Sequence, residues 1–350
     1  MSQPEMTLTP TEAEALGREF DAIRTRVLAD LGQRDADYIR RIVRVQRTLE
    51  VGGRALMFAG IRRPAWLAGV AMLAVSKILD NWEIGHNVMH GQYDWMGDPT
   101  LHGPTFEWDS ACPSDHWRYA HNYLHHTYTN VIGVDRDIGY AVLRVKEDQP
   151  WDRLKLFNPL NALIGFVVFQ YSLAGYELEV ERMPHEITMA DKRDVLRVIV
   201  RKVFRQVLKD YVAFPLLGGR SRRFVLTGNM AANMIRNMWT FAITFCGHFP
   251  DGARVFTVEE ARDESRGMWY YRQILGTANM SGGRLFHILS GNLSHQIEHH
   301  LFPDLPAHRY AELAPEVREI CGRYGIPYNT GSMPRQLGTV MRNIFRLAFP

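Results

Sequence analysis

The chain is poor in cysteine, with three in 350 residues: Cys112, Cys246 and Cys321, none of them in a Cys-x-x-Cys pair. That spacing excludes a disulfide framework and a cysteine-held iron–sulfur cluster, and reduced thiols fit a protein facing the cytoplasm. No sign of charge dominates either: 41 Lys and Arg stand against 38 Asp and Glu, a net +3 that gives no footprint for nucleic acid. Nucleotide fingerprints of the GxGxxG type are missing, as is the HPGG haem signature. The zinc-peptidase motif HExxH is missing too: the one His-Glu pair, His185-Glu186, has no second histidine in range. At 46% hydrophobic and 23% charged the composition excludes disorder, collagen-like repeats and a chain made of membrane helix throughout.

Long apolar runs are scarce but present. Residues 156–176 hold 21 positions without a charge, about 31 Å as a helix and close to the thickness of a bilayer core. A second apolar region, 55–76, is cut by Arg62 and Arg63 beside Pro64, which predicts a tight helical hairpin. A third, 224–249, carries only Arg236. Together they predict an integral membrane protein. Its orientation stays open: residues 191–210 hold seven basic side chains that the positive-inside rule keeps cytoplasmic, yet one crossing at 156–176 would place them outside. Either 156–176 does not span, or this stretch breaks the rule.

The first twenty residues are polar and acidic, without the apolar run of a secretory leader, so the chain is expected to begin in the cytosol. Thr9, Pro10 and Glu12 predict a capped helix start. Near the other end, 306–324 reads as a surface helix stopped by Gly325 and followed by Pro327.

The chemistry lies in the histidines. Eight of the fourteen fall in three short windows: His86-Asn-Val-Met-His90, His121-Asn-Tyr-Leu-His125-His126 and His295-Gln-Ile-Glu-His299-His300. Residues four apart share a helix face, so each window makes a two-pronged clamp, and the doubled histidines could reach a second metal. Imidazole suits Fe, Zn, Cu and Ni. Eight imidazoles exceed one metal's needs, and their place beside apolar regions points to oxidation of a hydrocarbon chain by two metals.

The segments GHNVMHGQYDW, HNYLHHTYTNVIGVDRDIGY and GNLSHQIEHHLFPDLP resemble the membrane-bound fatty acid desaturases from roughly Gly53 to Gly331. GHFPDG and QIEHHLFPDLP bring the likeness nearest to bacterial acyl-CoA Δ9 desaturases. The resemblance implies an all-α protein with about four membrane spans and a cytosolic helical cap, in the cell (inner) membrane with its active site on the cytoplasmic side. It implies a 1–45 N-terminal helical segment, a 46–331 desaturase domain and a 332–350 tail. The implied catalytic ligands of two irons are His86, His90, His121, His125, His126, His299 and His300, with His248 as an extra metal ligand. Gln296 fills the first position of the family's [H/Q]xxHH box as ligand or hydrogen-bond partner, and His295 stays a candidate beside it. Glu83, Asn130, Asp135, Asp137 and Glu298 lie next to the boxes as candidates to orient ligands, and Arg118 as a candidate for the substrate's acyl headgroup. His102, His116, His185, His287 and His308 receive no role.

The implied reaction is O2-dependent desaturation of a long-chain acyl substrate, above all stearoyl-CoA to oleoyl-CoA. Front-end (Δ5 or Δ6) or acyl-lipid desaturation, hydroxylation by the same irons and a non-enzymatic membrane metal-binding protein are the alternatives. Tunnel walls are expected from 55–80, 156–176 and 224–249. Electrons are expected from NAD(P)H through a separate reductase or ferredoxin, for which the basic residues 192–209 offer a docking site.

Overall fold

The computed structural model describes residues 8–59, 63–183 and 185–350. Helices dominate. Two long ones open the chain, α1 (Pro10–Ala29) and α2 (Gln33–Ala59), followed by α3 (Arg63–Leu79). The expected capping box is present at α1: the Thr9 backbone N–H donates to Glu12 Oε2 (2.8 Å), and the Glu12 N–H donates to Thr9 Oγ1 (3.3 Å). A loop-rich stretch with short α4 (Asn87–Met89) and α5 (Ser114–Trp117) leads to α6 (Asn158–Gly175). Then come α7 (Arg193–Val207), short α8 (Phe214–Leu217) and α9 (Arg222–His248). The remainder holds α10 (Arg266–Gly276), α11 (Arg284–Leu289), α12 (Gln296–Leu301), α13 (Tyr310–Arg323) and α14 (Met333–Arg346). Among the described residues the strands are β1 (Asn279–Ser281) and β2 (Thr330–Ser332), paired in parallel.

Two bodies of packing follow. The first is a bundle of α2, α3, α7–α8 and α9. The expected hairpin is there as α2 and α3, although part of its turn, Arg62 included, lies outside the described residues. These helices approach so closely that a Cβ on Gly53 would stand 2.9 Å from the Gly69 carbonyl oxygen, and one on Gly69 2.9 Å from that of Gly53. No side chain larger than hydrogen fits there. Helix α7 passes through a π-helical turn, Leu208–Ala213, straight into α8, so the chain runs helically from 193 to 217. Buried charges lock it to its neighbours: Lys77 Nζ on α3 reaches Asp210 Oδ2 (2.9 Å) and Asp109 Oδ2 (3.2 Å). At the other end Arg54 of α2 lies 3.5 Å over the Phe214 ring.

The second body is a cap. Helices α1, α10, α12 and α13 enclose a core that includes Phe20, Tyr270, Phe302 and Ile320. The N-terminal end of α2 joins it through Asp35, which Arg309 grips at 2.6 and 2.8 Å.

Residues 153–178, with α6 at their heart, are among the described residues the one helical stretch long and apolar enough to cross a membrane. About four were expected. The described parts of 55–76, namely 55–59 and 63–76, and the region 224–248 are helical but more polar. Both ends of α6 are nonetheless tied to the cap loop 136–144. Asn158 Nδ2 donates to the carbonyls of Arg144 (2.7 Å) and Ile344 (3.1 Å), and Arg136 donates to the Tyr176 carbonyl (2.8 Å). Midway α6 kinks at Val168 (φ −119°, ψ 30°), where Asn237 of α9 takes up the freed backbone: its Nδ2 donates to the Val167 carbonyl (2.8 Å), and its Oδ1 accepts from the Gln170 N–H (3.3 Å). Helix α6 therefore lies across α9, with both ends at the cap.

Candidate metal centre

The three windows meet where α3 and α9 enter the cap. The first follows α3 through a π-helical turn, Asp80–His86, and the second occupies another, Arg118–His125. A π turn shifts the phase of the helix that follows, and such turns concentrate at functional sites. The third window is α12, whose side chains are all buried.

Ligand-capable atoms of His86, His90, His121 and His299 lie within 4.8 Å of one another, and so do those of His125, His248 and His300. His126 stands between the two groups, its ring 4.6 Å from His90, 4.7 Å from His299 and stacked on His300 at 4.4 Å. His121, His125 and Asp137 form a further close set.

The two ring nitrogens do different things. The Nδ1 atoms face outward to fixed partners: Asn87 Oδ1 for His86 (3.0 Å), Asp137 for His121 (3.3 Å), Asp135 for His125 (2.9 Å) and Gln273 Oε1 for His300 (2.9 Å). His299 Nδ1 lies 3.4 Å from the Tyr310 hydroxyl. The Nε2 atoms of these five, and of His90 and His126, are buried without any partner. Each such orphan costs about 1–3 kcal/mol. Seven lone pairs converging in one buried volume fit cations, and donation of Nδ1–H to a carboxylate or amide is how ligating histidines are held. Burial, reinforced by neighbouring imidazoles, pushes His90, His121, His126, His299 and His300 well below the usual imidazole range, so these rings are neutral. At His125 burial acts the same way, but the charge of Asp135, its hydrogen bond and Asp137 outweigh it and raise the pKa.

The family model for fatty acid desaturases matches residues 64–332. The chain belongs to the fatty acid desaturase family. It is 48% identical over 348 residues, 98% of this chain and 82% of the relative, to the NADPH-dependent stearoyl-CoA 9-desaturase of Mycobacterium tuberculosis (strain ATCC 25618 / H37Rv). It is also 27% identical to the sn-1 linoleoyl-lipid 6-desaturase of Synechocystis sp. (strain ATCC 27184 / PCC 6803 / Kazusa), over 78% of this chain and 77% of the relative. A third relative, the acyl-lipid 8-desaturase of Rebecca salina, is 26% identical over 97% of this chain and 77% of its own.

Within this desaturase the remaining expected residues divide. Gln296 faces the cluster and donates to His248 Nε2 (2.9 Å), a reach left open because Gly247 has no side chain; a Cβ there would meet Gln296 Cδ at 3.0 Å. His295 is turned away, its ring 4.7 Å from His287. Asp135 and Asp137 hold histidines. Asn130 acts through the loop instead: at φ +57° its N–H donates to Asp135 Oδ2 (2.7 Å) and its side chain to the Gly276 carbonyl (2.7 Å). Glu83 and Glu298 touch no ligating ring. Glu83 accepts from Tyr38 and Asn292, Glu298 from Tyr328 and Asn279. Arg118 is engaged by Asp115 and by the carbonyls of Phe106 (3.0 Å) and Gly103 (3.3 Å), which fits a loop brace.

Asn87, Gln273 and Tyr310 were not anticipated. Asn87 lies inside the first window and its position carried a signal. Gln273 comes from α10, 22 residues before the third window, and Tyr310 from the start of α13, ten residues after it; neither lies in a histidine window.

A narrow cleft lies against the histidines. Its lining includes His86, His121 and His248 together with Trp108, Phe169, Leu173, Arg236 and Asn237. Along α9, His248 and Arg236 are twelve residues apart, about 18 Å.

Proposed function

We propose that the cluster holds two irons and that the chain is an O2-dependent Δ9 desaturase of stearoyl-CoA, fed with NADPH-derived electrons by a separate protein. The single observation that carries this is the convergence of seven buried, unpartnered Nε2 atoms, five of them on rings anchored from behind at Nδ1. The 48% identical stearoyl-CoA 9-desaturase supports the substrate and the position.

When bound, the irons supply the activation of O2 and the removal of two hydrogens. The chain does the rest. His86, His90, His121 and His299 form one ligand group and His125, His248 and His300 the other, with His126 between them. Asp135, Asp137, Asn87 and Gln273 fix their rings before metal arrives. Trp108, Phe169 and Leu173 hold the alkyl chain against the histidines and keep bulk water out.

In this reading the membrane end of the bundle is formed by the C-terminal half of α2, α3, the end of α7 with α8, and α9. Helix α6 then rests at the membrane face of the cap, which leaves the basic residues 191–210 on the cap side, as the positive-inside rule asks for a cytoplasmic active site in the cell membrane. Exposed Leu67, Leu216, Leu217 and Met230 on the bundle suit contact with lipid.

The test is expression with an electron donor in a host lacking desaturases, followed by mass-spectrometric mapping of new double bonds. A His125→Ala control runs alongside. The expected product carries the bond at carbon 9 of an 18-carbon chain and vanishes in the control. A bond nearer the carboxyl end would move the enzyme to the front-end class, in keeping with its 6- and 8-desaturase relatives, and hydroxy acids would change the reaction.

A further inference from the structure

One strongly charged surface lies outside the site. Along residues 192–209, on α7 and at its two ends, the lysines turn inward: Lys192 pairs with Glu179, Lys202 reaches Glu107 (2.6 Å) and the Trp108 carbonyl (3.1 Å), and Lys209 pairs with Asp109. The arginines turn outward. Arg193, Arg197, Arg201 and Arg205 follow at four-residue steps, share one helix face and are all exposed. Arg193, Arg201 and Arg205 make no ion pair among the described residues, and Arg197 meets only the exposed Asp194 (2.6 Å). Val200 and Phe204, 56% and 62% exposed, sit along the same ridge. Arginine around an exposed aromatic is the composition of an interface centre.

What lies beneath gives the ridge its purpose. The inner face of α7, through Ile199, packs with Trp108 and Trp117. These indoles are 5.3 Å apart, and Trp117 stacks on His121 at 4.4 Å and lies 5.4 Å from His86. Two aromatic rings therefore separate α7 from the histidine cluster.

We propose that this arginine ridge docks an acidic electron-transfer protein, which delivers electrons toward the cluster past Trp108 and Trp117. The proposal rests on the desaturase reading above. The balance is R–CH2–CH2–R′ + O2 + 2 e⁻ + 2 H⁺ → R–CH=CH–R′ + 2 H2O. Two C–H bonds break and one C=C bond forms. Reducing O2 to two waters takes four electrons, two from the acyl chain and two from the docked protein, which NADPH then re-reduces. Anionic lipid is a poorer occupant. The ridge is about 18 Å long on a helix that runs into the bundle, whereas a headgroup layer is roughly 5–8 Å deep, so the upper arginines stand in water.

The probe is a plant-type [2Fe–2S] ferredoxin, an acidic one-electron carrier, titrated against the full chain in nanodiscs of zwitterionic lipid. Wild type should bind it with an affinity that falls steeply as salt rises. The Arg197→Glu/Arg201→Glu variant should bind at least tenfold more weakly at low salt, with little salt dependence left. Product formed with dithionite, which needs no docking, should be unchanged. If the double variant fails to fold, Phe204→Asp places an acid in the ridge without disturbing a packed group and carries the same expectation. Equal affinity in wild type and variant, or no salt-dependent binding by wild type, overturns the proposal. So does a variant that keeps its ferredoxin affinity and loses only its preference for anionic vesicles. Absence of product from wild type with dithionite would count against the desaturase reading instead, and the titration would still decide the ridge.

Discussion

Asp135 organises more of the centre than any single ligand. One oxygen accepts from His125 Nδ1 and from the Asn130 N–H, and the other accepts from the Asp137 N–H (2.9 Å). A single carboxylate thereby fixes a ring, a left-handed loop residue and the partner of His121. Asp135→Asn keeps the shape but no longer fixes His125 with Nδ1–H outward. Iron content measured by mass spectrometry, or turnover, is expected to fall about 10–100-fold, the usual effect of losing such an orienting group. Unchanged iron and unchanged rate would remove Asp135 from this role. At this scale the sequence was most legible where histidines recur at helical spacing, because period and residue type together say which atoms face one point. Gln273 and Tyr310 were illegible for the opposite reason: their role comes from where α10 and α13 pack, and a lone Gln or Tyr on a helix is ordinary. His295 was ambiguous because it and Gln296 sit at the start of α12, where one residue's difference turns a side chain from the cluster toward His287.

Among the elements, α6 shows how an apolar pattern under-determines a fold. The 21 uncharged residues 156–176 around it satisfy the requirement for a crossing and equally that for a helix lying between cap and lipid. Position is decided by tethers, Asn158 at one end and the Tyr176 carbonyl at the other, which hydropathy does not see. The α2–α3 hairpin was legible because charges beside a proline mark a turn without help from tertiary contacts. The N-terminal helix gives the sharpest test at this scale. It crosses α10 so closely that a Cβ on Gly267 would stand 1.6 Å from the Ala13 carbonyl oxygen. Gly267→Ala is expected to destabilise the protein by about 3 kcal/mol or more, by forcing the backbones apart. It should lower the melting temperature and open α1 to protease, while Gly322→Ala on α13, where nothing lies within 4 Å, should leave both unchanged. A Gly267→Ala protein as stable as wild type would show that the two helices do not meet this way.

For the whole molecule, bundle and cap converge on the histidines: windows from three parts of the chain and the end of α9 all contribute nitrogens that no protein group satisfies. Metal should therefore act as a structural tie as well as a reagent. Purified protein is expected to carry close to two irons per chain. Stripping them with a chelator should lower the melting temperature by several degrees, since a ligand bound only by the folded state stabilises it. One zinc per chain, or a melting temperature indifferent to chelation, would refute the two-iron reading.

The π turns at 80–86 and 118–125 bear on how this family can change over evolutionary time. A π turn holds one residue more than the α-helical turn it replaces. Deleting the extra residue there would let the turn close as α-helix over the same angle, so the helix beyond it, with its histidines, would keep its facing. Deleting a residue from regular α-helix next to these turns would instead rotate everything beyond it by about 100° and point His86 and His90, or His125 and His126, away from the other histidines. Among homologues, a one-residue gap at a π turn is thus compatible with a chain that gathers its histidines, whereas the same gap in the adjoining α-helix is not, and the difference can be read from aligned sequences before any protein is made.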